Sequence, residues 1–284
     1  MDAFGPSQSA SSRDTAVPTG NEDTVFYWGT ADDGAVVEIT VPQSMSHVLA
    51  TRWPPTGLTP SFELMHPPSQ RVVFGTPGGL EDLPSDTVTE ESDAFKWDRV
   101  ESEVAIFAAE RLDRLVAVHA AVIAWHGRAL VVPGTSGAGK STLCIEAVAA
   151  GAQVLTDEYA LVDPRTGWVS GWLRPVRVRR SDGTVDRLDI AVASDPVPVG
   201  LVAMLVHHSE VEPNWAPITG AEAVLGLLAN TVCAQSRPDE SLDAALAIAR
   251  SSPAVGGFRG EASATIVDLL AFMDKHACEN SESE

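Results

Sequence analysis

Short apolar runs separated by turn residues characterise the first quarter of the chain. Clusters of Asp, Gly and Pro bound these runs, which lie at 25–28, 35–39, 61–65 and 71–74. Short β-rich runs between turn residues are typical of strands, so the pattern predicts a small antiparallel sheet over residues 24–75. The polar residues 1–23 are predicted to be a disordered leader, and the acidic, Gly/Pro-rich residues 76–94 a linker.

A helical periodicity replaces this pattern from residue 95. Steps of three and four residues indicate an amphipathic helix with an apolar face formed by Trp97, Val100, Val104, Phe107, Ala108, Leu112 and Leu115. Two apolar strands are predicted next, over 116–125 and 128–133, joined by a turn at His126 and Gly127. Residues 141–150 are predicted to form a second helix that ends at Gly151.

Predicted strands and helices alternate through the rest of the chain. Strands are expected at 153–155, 159–162, 168–179, 199–207 and 254–258. Helices are expected near 220–231, 240–250 and 262–276, and residues 277–284 form an acidic tail. The alternation is typical of the α/β class. The chain is therefore predicted to consist of a small β-rich N-terminal domain with its linker, over 24–94, and an α/β domain over 95–276.

Charge and composition narrow the classes of partner. A net charge of −20 over 284 residues disfavours nucleic acid and anionic membrane as partners and is compatible with a neutral or basic peptide. No apolar run approaches the roughly 20 residues of a bilayer-spanning helix, and the N-terminus lacks the apolar core of a secretory signal. The three scattered cysteines match no disulfide framework or zinc motif, so a cytoplasmic protein is expected. A homo-oligomer is compatible with all of this.

A phosphate-binding motif follows the strand at 128–133. The pattern G-x-x-x-x-G-K-[ST] is met in full, and the predicted cradle comprises Gly134, Thr135, Ser136, Gly137, Ala138, Gly139, Lys140, Ser141 and Thr142. Glycines let the backbone N–H groups turn towards a phosphate, and the helix N-terminus adds partial positive charge. Lys140 is expected to reach the terminal phosphates and Ser141 to help hold Mg²⁺. The motif therefore predicts ATP and Mg²⁺ as ligands.

Two acids and a histidine are the other candidate site residues. Asp157 and Glu158 follow the short strand after the P-loop helix, and P-loop enzymes need a carboxylate at such a strand end to organise Mg²⁺. A solvated acidic turn is the simpler alternative for this pair. His119 lies on the strand before the P-loop strand, where a single histidine is more often structural than functional.

The segment from His119 through Gly134, Lys140 and Ser141 to Asp157 and Glu158 resembles the core of the HPr kinase family, which is structurally akin to PEP carboxykinase. The resemblance covers roughly residues 115–275 and is specific between 119 and 158. It is closest to the HPr kinase-like proteins of peptide natural-product biosynthesis, including lasso-peptide kinases. It implies an α/β fold with a P-loop core of the HPr kinase/PEP carboxykinase type.

The resemblance also implies an activity, ATP-dependent phosphorylation of a serine hydroxyl on a peptide or protein. It implies that Asp157 is the base, that His119 orients or polarises it, and that Glu158 helps to hold Mg²⁺. Two alternatives stay open. One is a kinase for a small molecule such as free serine, and the other is a binding module that responds to nucleotide without transferring phosphate.

A basic cluster in this acidic chain comprises Arg174, Arg177, Arg179 and Arg180. Strand alternation would place Arg177 and Arg179 on one face. These two are predicted to contact a phosphate or the carboxylate at the C-terminal end of an acceptor peptide. Ordinary surface arginines are the alternative.

Overall fold

The computed structural model describes residues 23–30, 35–47, 58–60, 67–75, 93–179, 185–210 and 212–281. The predicted strand at 61–65, residues 1–22 of the predicted leader, most of the predicted linker and Arg180 lie outside these ranges. Within them the chain is a mixed α/β protein with one sheet of eight strands, one of four and one of two.

The four-stranded sheet is formed by β1 (Asp23–Thr30), β2 (Val36–Pro42), β3 (Leu58–Pro60) and β4 (Gln70–Val73), in the order β3-β1-β2-β4. β1 pairs antiparallel with β2 and β3, but β4 runs parallel to β2. The expectation of a purely antiparallel sheet was therefore wrong. The segment between β2 and β4 is long enough for the chain to return to the same end before it pairs again.

The eight-stranded sheet carries the P-loop motif. Its order is β13-β14-β12-β6-β5-β8-β9, and β7 pairs with β5 beside β8. The strands are β5 (Val116–Trp125), β6 (Arg128–Pro133), β7 (Gln153–Thr156), β8 (Tyr159–Val162), β9 (Val169–Gly171), β12 (Val199–His207), β13 (Asn214–Pro217) and β14 (Ala254–Arg259). β12 is parallel to both β6 and β14, so three carboxyl ends meet at one edge. Ligands of open α/β sheets bind at this edge.

Helices cover both faces of this sheet because its strands are apolar on both sides. The helices are α1 (Asp93–Glu110), α2 (Lys140–Ala149), α3 (Gly220–Ala229), α4 (Pro238–Ser251) and α5 (Ala262–Ser281). One core packs the sheet against α3 and α4, and another packs it against α2 and α5. Helix α5 continues to Ser281, past the predicted end at 276 and into the segment assigned to the acidic tail. No helix in the described ranges is long and apolar enough to cross a membrane.

A third core joins the four-stranded sheet to α1. Trp28 and Ile39 of the small sheet belong to the same buried cluster as Trp97 and Phe107 of α1. The cluster continues to Tyr159 at the end of the large sheet. The domain boundary predicted at residue 95 therefore runs through a shared core.

The last sheet is a hairpin of β10 (Val176–Arg179) and β11 (Val185–Leu188), paired antiparallel with Arg177 opposite Arg187. The predicted strand at 168–179 is therefore two strands, β9 and β10, in different sheets. β11, β13 and β3 were not predicted. Each has only three or four residues, which is too short for a two-residue alternation to stand out.

Candidate functional site

The motif residues form a strand–loop–helix unit, as the sequence predicted. β6 ends at Pro133, and α2 begins at Lys140 with Gly139 as its N-cap in the left-handed region, at φ 83°. Gly137 is also left-handed, at φ 85°, so two motif glycines adopt a conformation that is strained for other residues. Gly134 N–H donates a hydrogen bond of 3.1 Å to the His119 carbonyl, which ties the loop to β5.

Lys140 lies inside this loop. Its Nζ donates hydrogen bonds to the carbonyl oxygens of Gly134 at 2.7 Å and Thr135 at 3.0 Å. The residue is buried. Burial lowers the pKa of Lys140, and the carboxylates of Glu158 and Asp157 act in the opposite direction. The ammonium group of Lys140 therefore lies where the strand ends meet. Its two carbonyl acceptors could be replaced by phosphate oxygens.

Asp157 is brought to the loop by β7, which runs antiparallel to β5 and so ends at the same edge as β6. The Ser141 hydroxyl donates a 2.6 Å hydrogen bond to Asp157 Oδ2. Asp157 is 4% exposed, and its Oδ1 is buried without a hydrogen-bond partner in the described residues. A hydroxyl and a carboxylate in contact, with one oxygen unsatisfied, fit the pair that holds Mg²⁺ in P-loop enzymes.

No group of three His, Cys, Asp or Glu residues suited to a metal occurs in the described ranges. This is compatible with Mg²⁺, which is usually bound by one or two carboxylates together with substrate phosphates and water. Ser141 and Asp157 would be the ligands that the protein supplies. Glu158, the third predicted ligand, makes an ion pair with Arg174.

His119 lies on β5 opposite Tyr159, and the two ring centroids are 5.7 Å apart. Burial, together with the positive charges of Lys140 and Arg174, lowers the pKa of His119 to about 4, although Asp157 acts to raise it. The imidazole is therefore neutral at neutral pH. It can accept or donate a hydrogen bond at the site, but it adds no charge there.

The arginines predicted as substrate contacts are placed differently from one another. Arg177 reaches the site, but Nη1 forms ion pairs with Asp98 and, at 3.4 Å, with Glu101 of α1. Its side chain is 8% exposed, so it is not an ordinary surface arginine. Arg179 ends β10 opposite Val185.

Most of the candidate residues line one cavity of about 600 Å³, but Gly134, Thr135 and Ala138 of the predicted cradle do not. From the motif and its neighbours come Ser136, Gly137, Gly139, Lys140, Ser141, Thr142, His119, Asp157, Glu158 and Tyr159. From outside the motif come Asp98, Ser102, Ile106, Glu110, Arg174, Arg177, Val178 and Val232. The structure therefore brings His119, both acids and the P-loop to a single space.

Sequence reasoning missed one wall of this cavity. Asp98, Ser102, Ile106 and Glu110 recur at four-residue steps on α1, so they share one face of the helix. Only the apolar stripe of this helix was considered in the sequence. A row of mostly polar residues with the same step was the signal that could have identified a second functional face.

A second missed residue is Arg259, at the end of β14. Its Nη2 donates a 3.0 Å hydrogen bond to the Ala138 carbonyl, and its guanidinium fills the space that a Cβ at Gly139 would need. Arg259 is 3% exposed. Arg259 therefore supports the P-loop at Ala138 and Gly139. Nothing in its local sequence indicates this role.

Comparisons with known proteins give little. No protein-family model and no curated protein matches the chain. Among solved structures, 28 chains match. One is the HPr(Ser) kinase/phosphatase from Coxiella burnetii, with 12% sequence identity and a TM-score of 0.35, covering 58% of this chain and 98% of that chain. A likeness at this level carries no argument about activity, so the function has to be inferred from the chain's own residues.

Proposed function

We propose that the chain is an ATP-dependent phosphotransferase that moves the γ-phosphoryl group to a hydroxyl, with serine of a peptide or protein as the acceptor. The observation that carries the proposal is the 2.6 Å contact between Ser141 Oγ and Asp157 Oδ2, next to Lys140 in the P-loop. These are the three side chains that a P-loop enzyme uses on nucleotide phosphates and their metal. All three line the same cavity.

The protein's part in nucleotide binding follows from the loop. Backbone N–H groups at residues 134–141 and the N-terminus of α2 would surround the phosphates. Lys140 Nζ would exchange its two carbonyl acceptors for β- and γ-phosphate oxygens. Mg²⁺, held by Ser141 and Asp157, would supply charge stabilisation to the phosphates.

The acceptor hydroxyl needs a base and a free path to the γ-phosphate. Asp157 Oδ1 is buried and accepts no hydrogen bond from a described residue, although Arg174 Nη2 lies 3.5 Å away as an ion-pair partner. We assign the hydroxyl proton to this oxygen. Neutral His119, on the adjacent strand, would orient the carboxylate or the hydroxyl.

A transferase needs more space than an ATPase because two substrates bind together. The cavity extends from the P-loop to the face of α1 that carries Ser102, Ile106 and Glu110. Ile106 is 43% exposed although it is apolar, which suits a surface that an acceptor covers. We place the peptide here, and a natural-product precursor is one such acceptor. A carboxylate bound to Arg177 would compete with Asp98 and Glu101, so acceptor binding by Arg177 and Arg179 stays a prediction.

The test is phosphoryl transfer from ATP·Mg to serine peptides, followed by mass spectrometry, with free serine as a parallel acceptor. We expect one added phosphoryl group on a peptide. Asp157→Asn should lower transfer at least ~100-fold, the usual contribution of a general base, without loss of nucleotide binding. Asp195→Asn, at an exposed position on the surface, is the matched control.

Three results would contradict parts of the proposal. Labelling of free serine alone would favour the small-molecule kinase. Nucleotide binding without transfer or hydrolysis would favour the binding module. Normal transfer by Asp157→Asn would place the base elsewhere, and Glu158 would be examined next.

A further inference from the structure

Arg174 is the cation whose position the proposed reaction leaves unexplained. It lies between β9 and β10, its side chain is 8% exposed, and it lines the cavity beside the P-loop. Its Nη2 contacts Glu158 Oε2 and lies 3.5 Å from Asp157 Oδ1. Its Nε is buried without an acceptor among the described residues. A buried guanidinium with an unused donor, facing both acids of the site, is therefore available for a further partner.

The neighbouring Arg177 provides the contrast. Its Nη1 contacts Asp98 and Glu101 of α1, and Arg187 binds the other carboxylate oxygen of Glu101 at 2.6 Å. These contacts fasten the β10–β11 hairpin to α1. Arg177 Nη2 reaches the site only at a longer distance, 3.8 Å from Glu158 Oε1. Among the described residues, in contrast, Arg174 forms ion pairs only with the two consecutive acids at the site.

The effect of the Arg174 charge on its neighbours also indicates that it lies near the reacting groups. Its positive charge is among the causes that lower the pKa values of both His119 and Lys140. Lys140 is the residue expected to contact the β- and γ-phosphates. Arg174 is thus within electrostatic reach of the space in which the γ-phosphate would lie.

We propose that Arg174 is a catalytic residue that exchanges its contact with Glu158 for the γ-phosphoryl oxygens and stabilises their charge during transfer. This inference rests on the proposed function. In the step, the acceptor oxygen forms a bond to the γ-phosphorus while the bond from that phosphorus to the bridging oxygen breaks. ADP leaves with the electron pair, and the acceptor proton goes to Asp157. Arg174 stays protonated throughout and supplies only hydrogen bonds and charge.

The contact between Arg174 and Glu158 has a role in the same proposal. Two carboxylates beside an empty P-loop would repel the phosphates of an incoming nucleotide. Arg174 offsets that charge while the nucleotide binds, and it moves to the γ-phosphoryl oxygens as negative charge develops on them in the transition state. Glu158 then keeps Arg177 as a charged partner, since Arg177 Nη2 lies 3.8 Å from Glu158 Oε1. An arginine is suited to this exchange because its planar fork can bind two oxygens of a carboxylate or a phosphate.

The experiment compares a ground-state and a transition-state analogue on the full chain. Binding of ADP·Mg with beryllium fluoride and with aluminium fluoride is measured by titration calorimetry for the wild type, Arg174→Ala and Arg174→Lys. We expect similar affinity for the beryllium complex in all three, but loss of the aluminium complex by both variants. Turnover should fall about a thousandfold, the lower range for an arginine of this kind.

Arg174→Lys and one further variant, Arg187→Ala, serve as controls. Arg174→Lys retains the positive charge that Asp157 and Glu158 need, so it keeps the test decisive if Arg174→Ala does not fold. Its ammonium cannot form the two parallel bonds of a guanidinium, so it should not restore the aluminium complex. Arg187→Ala removes a cation of the same network that does not line the cavity, and it should bind both complexes as the wild type does.

The outcomes separate this inference from the proposed function. Aluminium fluoride binding that Arg174→Lys and Arg174→Ala retain in full would overturn the role of Arg174, whether or not a peptide is phosphorylated. Equal losses for both analogues would also overturn it, because Arg174 would then bind the ground state as strongly as the transition state. Selective loss without any labelled acceptor would support Arg174 and reject the proposed acceptor.

Discussion

The neutral state of His119 makes stability depend on pH in a way that the site geometry determines. Burial and two nearby cations lower the pKa of His119 to about 4, from the 6.5 that is usual for histidine. Because the folded-state pKa is the lower one, the unfolded chain binds the proton first. The stabilisation is complete above pH 6.5 and is lost as pH falls towards 4. Between pH 7.5 and pH 5 the loss is about 2 kcal/mol.

Urea denaturation at the two pH values measures this loss. Other groups titrate in the same interval, so the quantity of interest is the difference between the wild type and His119→Gln, which has no titrating ring. The wild type should lose about 2 kcal/mol more than the variant on acidification. His207→Gln, at an exposed position, controls for removal of an imidazole. This variant should lose as much free energy of unfolding between the two pH values as the wild type does. A pH-independent difference for His119→Gln would refute the reasoning.

Four further predictions concern the loop, the acceptor wall and the small sheet. Lys140→Ala should weaken ATP·Mg binding at least ~10-fold by calorimetry, and unchanged affinity would reject the cradle. Gly139→Ala should abolish nucleotide binding because its Cβ meets Arg259, whereas Gly127→Ala, also left-handed but in open space, should cost only about 1 kcal/mol of stability. Ile106→Asp should raise the KM for a peptide without changing that for ATP, and equal changes in both would contradict the acceptor wall. Removal of residues 1–75 should lower the melting temperature, since it uncovers the shared core of α1, and an equally stable fragment would show that the small sheet is independent.

Local chemistry explains which parts of the site could be predicted from the sequence. The P-loop is a contiguous motif, so neighbouring residues determine its glycine conformations and the start of its helix. Asp157 comes directly after the short strand that follows this helix, so few residues separate it from the loop. His119 was assigned to the site by the family resemblance, since a single histidine on a strand is more often structural. The partners of Arg177 depend instead on how β10 and α1 approach each other, with 79 positions between Asp98 and Arg177, and no local pattern encodes that approach.

The fold was predictable to a similar extent. Long elements such as β5, β12 and α4 showed clear periodicity, and their predicted positions agree with the structure to within a few residues. The parallel pairing of β4 with β2 and the division of 168–179 between two sheets depend on contacts between distant segments. The shared core of the small sheet and α1 also depends on contacts between distant segments.

The paired arginines of the cavity affect how fast substrates arrive. Arg174 and Arg177 both face carboxylates, so they add little long-range positive potential to a chain with net charge −20. A nucleotide anion therefore diffuses towards a repulsive field until it reaches the loop. Raising the ionic strength from about 0.1 M to 1 M shortens the screening length from about 10 Å to about 3 Å. Added salt should thus speed nucleotide association, and it should slow the association of a basic acceptor peptide.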